Sequence, residues 1–240
     1  MRVVGLIPAR MAATRLPNKP LLDICGKTMI QRVWEQASRA RLLEAVMVAT
    51  PDGEIARTVE GFGGVAIMTS DRHRTGTDRL AEAAGGLDAA IIVNIQGDEP
   101  LIDPASIDAA VQPLLMEPDL QMTSLMVRCP EDQLDNPATV KVVCDCRGNA
   151  LYFSRARIPF DRSDGSGQAV MQHIGLYAYR RDFLIAYAAM EPTPLERTEM
   201  LEQLRALENG IRIRMVEVDQ APLSVDTVED LERVRRIVGS

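Results

Sequence analysis

Apolar positions in the first half of the chain alternate between two periods. Short, dense apolar runs at 3–7, 45–49, 65–68 and 91–95 predict strands, and the run Ile91-Ile92-Val93-Asn94-Ile95 is the clearest buried one. Between them the spacing lengthens to that of a helix. Ile30, Val33, Trp34 and Ala37 share one face of a helix predicted over 29–40. Further helices are expected at 54–61, 77–84 and 105–115. This strand–helix rhythm predicts an α/β fold with a mainly parallel sheet covered on both faces.

The rhythm changes near residue 120. Strands are expected at 122–127, 140–145 and 150–153 without helices between them, and 161–167 reads as a polar, Gly-rich mobile loop. A strand at 174–179, a helix at 195–207, an edge strand at 211–218 and a final helix at 228–237 complete the pattern. There is no internal repeat. A length of 240 residues suits a single domain spanning 1–240.

Charge narrows the function classes. The net charge is −7, which argues against a general nucleic-acid binder, because such a protein needs a basic face to displace counterions. No apolar run approaches the roughly 18 residues of a membrane span. Pro8 and Arg10 interrupt the apolar start too early for a signal peptide, so it reads as a first strand. Cys25, Cys129, Cys144 and Cys146 have no disulfide-framework spacing, so reduced thiols and a cytoplasmic protein are expected.

Candidate chemistry begins after the first strand. Arg10, Arg15 and Lys19 lie in a loop at the carboxyl end of a strand, where α/β folds bind ligands. Three cations there suit a phosphate chain, although the loop taken alone reads equally as a solvated basic surface. Neither a P-loop nor a dinucleotide fingerprint is present. Asp98, in Gln96-Gly97-Asp98-Glu99-Pro100, follows the most buried strand and suits Mg²⁺; the competing reading is a simple turn. Asp226 with Glu229 forms a good capping box, and Asp226 becomes a metal candidate only if the fold carries it to Asp98.

The acceptor side of a reaction is less marked. Arg155 after an aromatic strand suits a substrate carboxylate. His173 and Tyr177 share a strand face with Gly175, and Glu202 and Gln203 are polar groups on a helix otherwise built for packing. Each is ordinary alone. Together they suit a polyhydroxy acid.

At this point whole segments match a known family. Ile7-Pro8-Ala9-Arg10, Thr14-Arg15-Leu16-Pro17-Asn18-Lys19-Pro20-Leu21, Gly76-Thr77-Asp78-Arg79-Leu80 and Val93-Asn94-Ile95-Gln96-Gly97-Asp98-Glu99-Pro100 occur in order. They are followed by Leu151-Tyr152-Phe153-Ser154-Arg155, Ile158-Pro159, His173-Ile174-Gly175, Glu199-Met200-Leu201-Glu202-Gln203-Leu204-Arg205 and Val225-Asp226-Thr227. The sequence resembles the 3-deoxy-manno-octulosonate cytidylyltransferase (CMP-Kdo synthetase) family over essentially its whole length. The resemblance departs at His73-Arg74-Thr75-Gly76-Thr77, where Arg74 and Thr75 replace the family's usual residues beside the base, and in a shorter segment before His173.

The resemblance implies a Rossmann-like nucleotide-diphospho-sugar transferase fold, with residues of roughly 150–205 binding the acceptor and forming a homodimer. It implies an enzyme that joins CTP to 3-deoxy-manno-octulosonate (Kdo), supplying CMP-Kdo for lipopolysaccharide synthesis. Arg10, Arg15 and Lys19 are then expected on the CTP phosphates, Gly76 beside the cytosine and Gln96 near the nucleotide. Asp98 and Asp226 would hold Mg²⁺, with Lys19 stabilising negative charge. Arg155, His173, Tyr177, Glu202 and Gln203 would meet the sugar acid. Sialic acid and an 8-amino relative of Kdo are the alternative acceptors, and a non-catalytic nucleotide sensor is the rival from another class.

Overall fold

The computed structural model describes residues 2–11, 16–163, 167 and 169–239. Arg15 and most of the Gly-rich stretch near 165 lie outside them. The strands are β1 (Val3–Pro8), β2 (Asp23–Ile24), β3 (Lys27–Thr28), β4 (Ala45–Thr50), β5 (Val65–Met68), β6 (Ile91–Asn94), β7 (Met122–Arg128), β8 (Lys141–Cys144), β9 (Ala150–Ser154), β10 (Met171–Arg180) and β11 (Ile213–Glu217). The helices are α1 (Met29–Ala37), α2 (Gly53–Gly61), α3 (Gly76–Gly85), α4 (Pro104–Met116), α5 (Arg181–Ala188), α6 (Pro194–Glu199), α7 (Gln203–Glu208) and α8 (Val228–Gly239).

The central sheet runs β11-β7-β10-β6-β1-β4-β5, with β8 pairing β10 and β9. Its β6-β1-β4-β5 half is parallel, as is the β11–β7 edge, while β10 runs antiparallel to both neighbours. The chain builds outward from β1 through β4 to β5, then returns to place β6 on the other side of β1. That reversal opens a crevice at the carboxyl ends of β1 and β6, where doubly wound sheets take their ligands.

Both sheet faces are buried. Ile30, Val33 and Ala37 of α1 pack with Ile107, Val111 and Leu114 of α4 on one face. Leu80 and Ala83 of α3 pack with Leu184 and Tyr187 of α5 on the other. Each fully buried branched side chain contributes about 1.5–3 kcal/mol, so this two-sided burial holds the crevice rigidly. A third cluster, with Ile24, Met29, Val225, Leu231 and Val234, fixes α8 and the segment before it near the β1 loop.

The helix expected over 195–207 is two helices. Met200 adopts a left-handed conformation (φ 54°), ending α6, and the chain restarts as α7 at Gln203. A Met in that conformation carries no sequence signature, whereas a glycine would have announced the break. The edge strand β11 and the closely spaced β7, β8 and β9 occur where expected. The helix α5 was not anticipated, because eight residues give the helical period too little room to show.

Candidate active site

The crevice is a cleft of about 430 Å³ lined by Arg10, Lys19, Gly76, Gln96, Asp98 and Asp226, with Arg79 and Thr75 beside them. A volume in this range suits a nucleotide-sized ligand. β1 ends at Pro8, and the backbone beyond Arg10 is anchored by Met11 N–H donating to Asp52 Oδ2 at 2.8 Å. Lys19 opens a short 3₁₀ turn, Lys19–Leu21, after Asn18 takes a left-handed conformation. Gly97 lets the loop after β6 cross the end of β1, since a Cβ there would stand 3.0 Å from the Pro8 carbonyl oxygen. The close approach is therefore to protein backbone.

Lys19 joins the two acidic candidates. Its Nζ donates to Asp98 Oδ2 at 2.7 Å and to Asp226 Oδ1 at 2.9 Å. Val225 N–H donates to the Asp98 carbonyl at 2.9 Å, which ties the 225–226 segment to the end of β6. Burial pulls the Lys19 ammonium down, and Asp98 with Asp226 outweigh it, so its pKa lies above the ordinary lysine value. Burial, then the Asp98 charge, pushes Glu99 up to about 8.

The capping reading of Asp226 is corrected. The reciprocal bonds at the start of α8 run between Thr227 and Asp230: Asp230 N–H donates to Thr227 Oγ1 at 3.2 Å, and Thr227 N–H donates to Asp230 Oδ2 at 2.9 Å. Asp226 is thus left free for Lys19.

A smaller cavity of about 130 Å³ adjoins the cleft and shares Pro8, Gly76 and Gln96 with it. Tyr177, Glu202 and Gln203 line it, together with Thr77, Asn94, Tyr179 and Tyr187. The β10–β7 register shifts between Ile174 and Tyr177, and the Gly175 carbonyl accepts from Gln96 Nε2 at 2.9 Å. That bulge re-aims β10 where the cleft and cavity meet. Glu202 accepts from Thr77 Oγ1 at 3.0 Å, and burial raises its pKa.

His173 and Arg155 line neither cavity. His173 is buried, with its Nε2 2.9 Å from Ser124 Oγ and its ring 5.4 Å from that of Tyr177. Burial lowers its pKa to about 3, so it is neutral at physiological pH. The Arg155 guanidinium donates to the backbone carbonyls of Glu199 (2.8 Å), Pro137 (2.9 Å) and Met200 (3.3 Å).

Arg79 was passed over in the sequence. It is buried yet lines the cleft, and its Nη1 donates to Thr69 Oγ1 at 2.5 Å and to the Ser70 carbonyl at 3.2 Å. Burial, then Arg10, lowers its pKa. A charged residue one turn into an otherwise apolar helix face was the available signal. Asn94, a polar residue closing the most apolar strand, was another.

The two carboxylates around Lys19 fit Mg²⁺. That ion is held by one or two protein carboxylates and completes its shell with water and phosphate oxygens. Among the described residues no group of three or more His, Cys, Asp or Glu side chains gathers as a metal site. All four cysteines are free, and no helix among the described residues is long and apolar enough to cross a membrane.

Comparison with known proteins agrees with this geometry. The sequence model of the cytidylyltransferase family matches residues 4–213. The 3-deoxy-manno-octulosonate cytidylyltransferase of Trichlorobacter lovleyi is 53% identical over 247 residues, covering 98% of each chain. That of Geobacter sulfurreducens is 53% identical over 246 residues, again covering 98% of each. Among solved structures, CMP:2-keto-3-deoxy-manno-octonic acid synthetase complexed with CTP matches with a TM-score of 0.96 at 43% identity, over 100% of this chain and 99% of that one. The 4-diphosphocytidyl-2C-methyl-D-erythritol synthase of Anaerococcus prevotii, 11% identical with a TM-score of 0.67 over 100% of this chain and 99% of its own, shares the fold alone.

Proposed function

The chain belongs to the cytidylyltransferase family, and on that premise we propose that it transfers the cytidylyl group of CTP to Kdo, giving CMP-Kdo and pyrophosphate. The observation that carries this reading is the pair of adjoining cavities. One has the cations and acids of a nucleotide triphosphate site, and the other is lined by tyrosines, Glu202 and Gln203. The likeness to Kdo cytidylyltransferases over nearly the whole chain favours Kdo over sialic acid or an 8-amino relative as acceptor.

In this reading Arg10, Arg15 and Lys19 grip the phosphates, with Arg79 adding a fourth cation. Gly76 lies against the cytosine and Gln96 at the junction with the acceptor. The anomeric hydroxyl of Kdo attacks the α-phosphorus and gives its proton to water. The new O–P bond forms as the bond from the α-phosphorus to the oxygen bridging to the β-phosphate breaks in line, and pyrophosphate leaves with that oxygen. Charge in such a transition state spreads over phosphoryl oxygens, so positioned cations supply most of the catalysis. Asp98 and Asp226 would hold Mg²⁺, which when bound neutralises charge on the phosphate oxygens. Lys19 is kept charged by both carboxylates and orients them toward the phosphates. Tyr177, Glu202 and Gln203 position the sugar. Neutral His173 supports the Tyr177 ring, and Arg155 fixes the segment leading to Glu202.

The same reading makes the protein a cytoplasmic homodimer, because CTP is made in the cytoplasm and because Leu151 and Phe160 leave apolar side chains 62% and 86% exposed in the part after residue 150. Sedimentation at micromolar concentration is expected to give twice the chain mass, and a monomer with full activity would refute the dimer. The direct test of function is pyrophosphate release with CTP, Mg²⁺ and Kdo, with sialic acid, the 8-amino analogue, ATP, GTP and UTP as controls. Release with CTP and Kdo alone is expected. Release with another acceptor or base would replace the substrate, and none with any pair would leave a nucleotide sensor.

A further inference from the structure

Two amides in the smaller cavity carry hydrogen-bonding ends that the fold does not use. Asn94 Oδ1 and Gln203 Nε2 are buried without a partner among the described residues, although the two side chains are only 5% and 4% exposed. Native chains seldom bury an amide end unpaired unless a ligand or water meets it.

Their placement explains what they share. Asn94 lies directly opposite Tyr177 in the β6–β10 pairing, so both side chains leave the sheet on one face. The same face carries Ile92 and Tyr179 into the apolar core. Asn94 is the position where that core stops. Any branched apolar residue would have continued the run of Ile91, Ile92 and Val93, yet an amide stands there. Gln203 begins α7 and also lines the cavity, with Glu202 beside it. The terminal torsion of an amide side chain is soft, so both ends can turn onto an entering group.

We propose that Asn94 is a specificity-determining residue of the acceptor site, and that Asn94 and Gln203 together hold one hydroxyl of the sugar acid. The hydroxyl donates to Asn94 Oδ1 and accepts from Gln203 Nε2. A hydroxyl does both at one atom. A carboxylate meets Asn94 only if that amide turns over to present its NH2, and an ammonium meets Gln203 only if that one turns to present its oxygen. In the arrangement the fold holds, the pair therefore favours a neutral hydroxyl at that carbon over an acid or a protonated amine. The inference rests on the proposed function and deepens it.

The test is steady-state kinetics of Asn94→Leu, Gln203→Leu and the double variant, with CTP binding followed separately by calorimetry. Asn94→Leu is expected to raise KM for Kdo by about tenfold, the effect of one lost hydrogen bond, with CTP affinity unchanged within about twofold. The double variant is expected to be little worse than either single one, because both groups act on one hydroxyl. Among monodeoxy analogues of Kdo, one is expected to lose about tenfold in kcat/KM with the wild type and nothing further with Asn94→Leu. An unchanged KM for Kdo in Asn94→Leu would overturn the proposal and assign the unpaired ends to water. Fully additive effects with no analogue equalised would overturn the shared hydroxyl. Should Asn94→Leu fail to bind CTP, Asn94→Ala with the same analogues decides the question. A wild type that releases no pyrophosphate with any acceptor while still binding CTP would instead refute the proposed function.

Discussion

The Asp226 carboxylate lies 2.9 Å from the Lys19 ammonium, although 207 residues separate them. Lys19 also holds Asp98, so one cation brings together acids from two distant segments. Local sequence gives Asp226 a different task, as a helix cap, and the two tasks predict opposite outcomes. Asp226→Asn keeps the shape and removes the charge. It is expected to lower turnover on the order of a hundredfold and to leave Tm nearly unchanged. Glu229→Gln is expected to leave both untouched. Pyrophosphate release and calorimetry decide it: a lowered Tm with normal turnover in Asp226→Asn would return the residue to the cap.

His173 gives a pH dependence with a definite sign. Its pKa falls from about 6.5 unfolded to about 3 in the fold because of burial. Below about pH 6.5 the unfolded chain binds a proton there that the native chain refuses, so stability falls with falling pH down to about pH 3. The loss attributable to His173 is about 2 kcal/mol by about pH 5. Chemical denaturation of the wild type and His173→Asn across that range is expected to show a shallower slope in the variant. Parallel slopes would mean that His173 titrates as it does in water.

Arg155 and the fully buried Lys141 brace the acceptor half. Lys141 Nζ donates to the carbonyls of Asn136, Thr139 and Arg155 at 2.8, 2.7 and 2.9 Å. Arg155 then reaches Pro137, Glu199 and Met200, just before Glu202 and Gln203. Lys141→Met strands three part-buried carbonyls and is expected to cost about 3 kcal/mol. Arg155→Met is expected to lower Tm and raise KM for the sugar acid with CTP affinity unchanged. If it abolished acceptor binding at a normal Tm, the guanidinium would be acting on substrate rather than on carbonyls.

These residues show where sequence reading runs out. The period of apolar positions marked β1, β4, β6 and α1 because each element's burial pattern is written within it, and it marked β5 although Val65 and Met68 stand exposed at the sheet edge. The Lys19–Asp98–Asp226 cluster is not local, and only the resemblance to a family joined its three segments. Arg155 looked like a carboxylate partner because sequence shows a cation without its acceptors, and here the nearby acceptors are main-chain carbonyls. His173 looked like a ligand for the same reason, its partner Ser124 lying on another strand. Asn94 broke the apolar run of β6 in plain sight, but only the neighbouring Gln203 gives that break a chemical meaning.

Met200 sets the turn between α6 and α7 with φ 54° and ψ 49°, and its side chain is 76% exposed. Little packing is lost by changing it, so backbone preference should dominate. Glycine takes this conformation without a Cβ penalty but brings more freedom to the unfolded chain, and the two effects nearly offset. Met200→Gly is therefore expected to match the wild type or exceed it by about 0.5 kcal/mol. Met200→Val places a β-branched residue in the left-handed region and is expected to lose about 1–2 kcal/mol. Because the turn aims Glu202 and Gln203 at the smaller cavity, the valine variant should also raise KM for the sugar acid while CTP binding holds. Thermal unfolding with kinetics on both substrates tests this. A valine variant with native Tm and native KM would show that α7 is positioned by its packing alone, with Leu204 and Ala206 in the core sufficient to hold it.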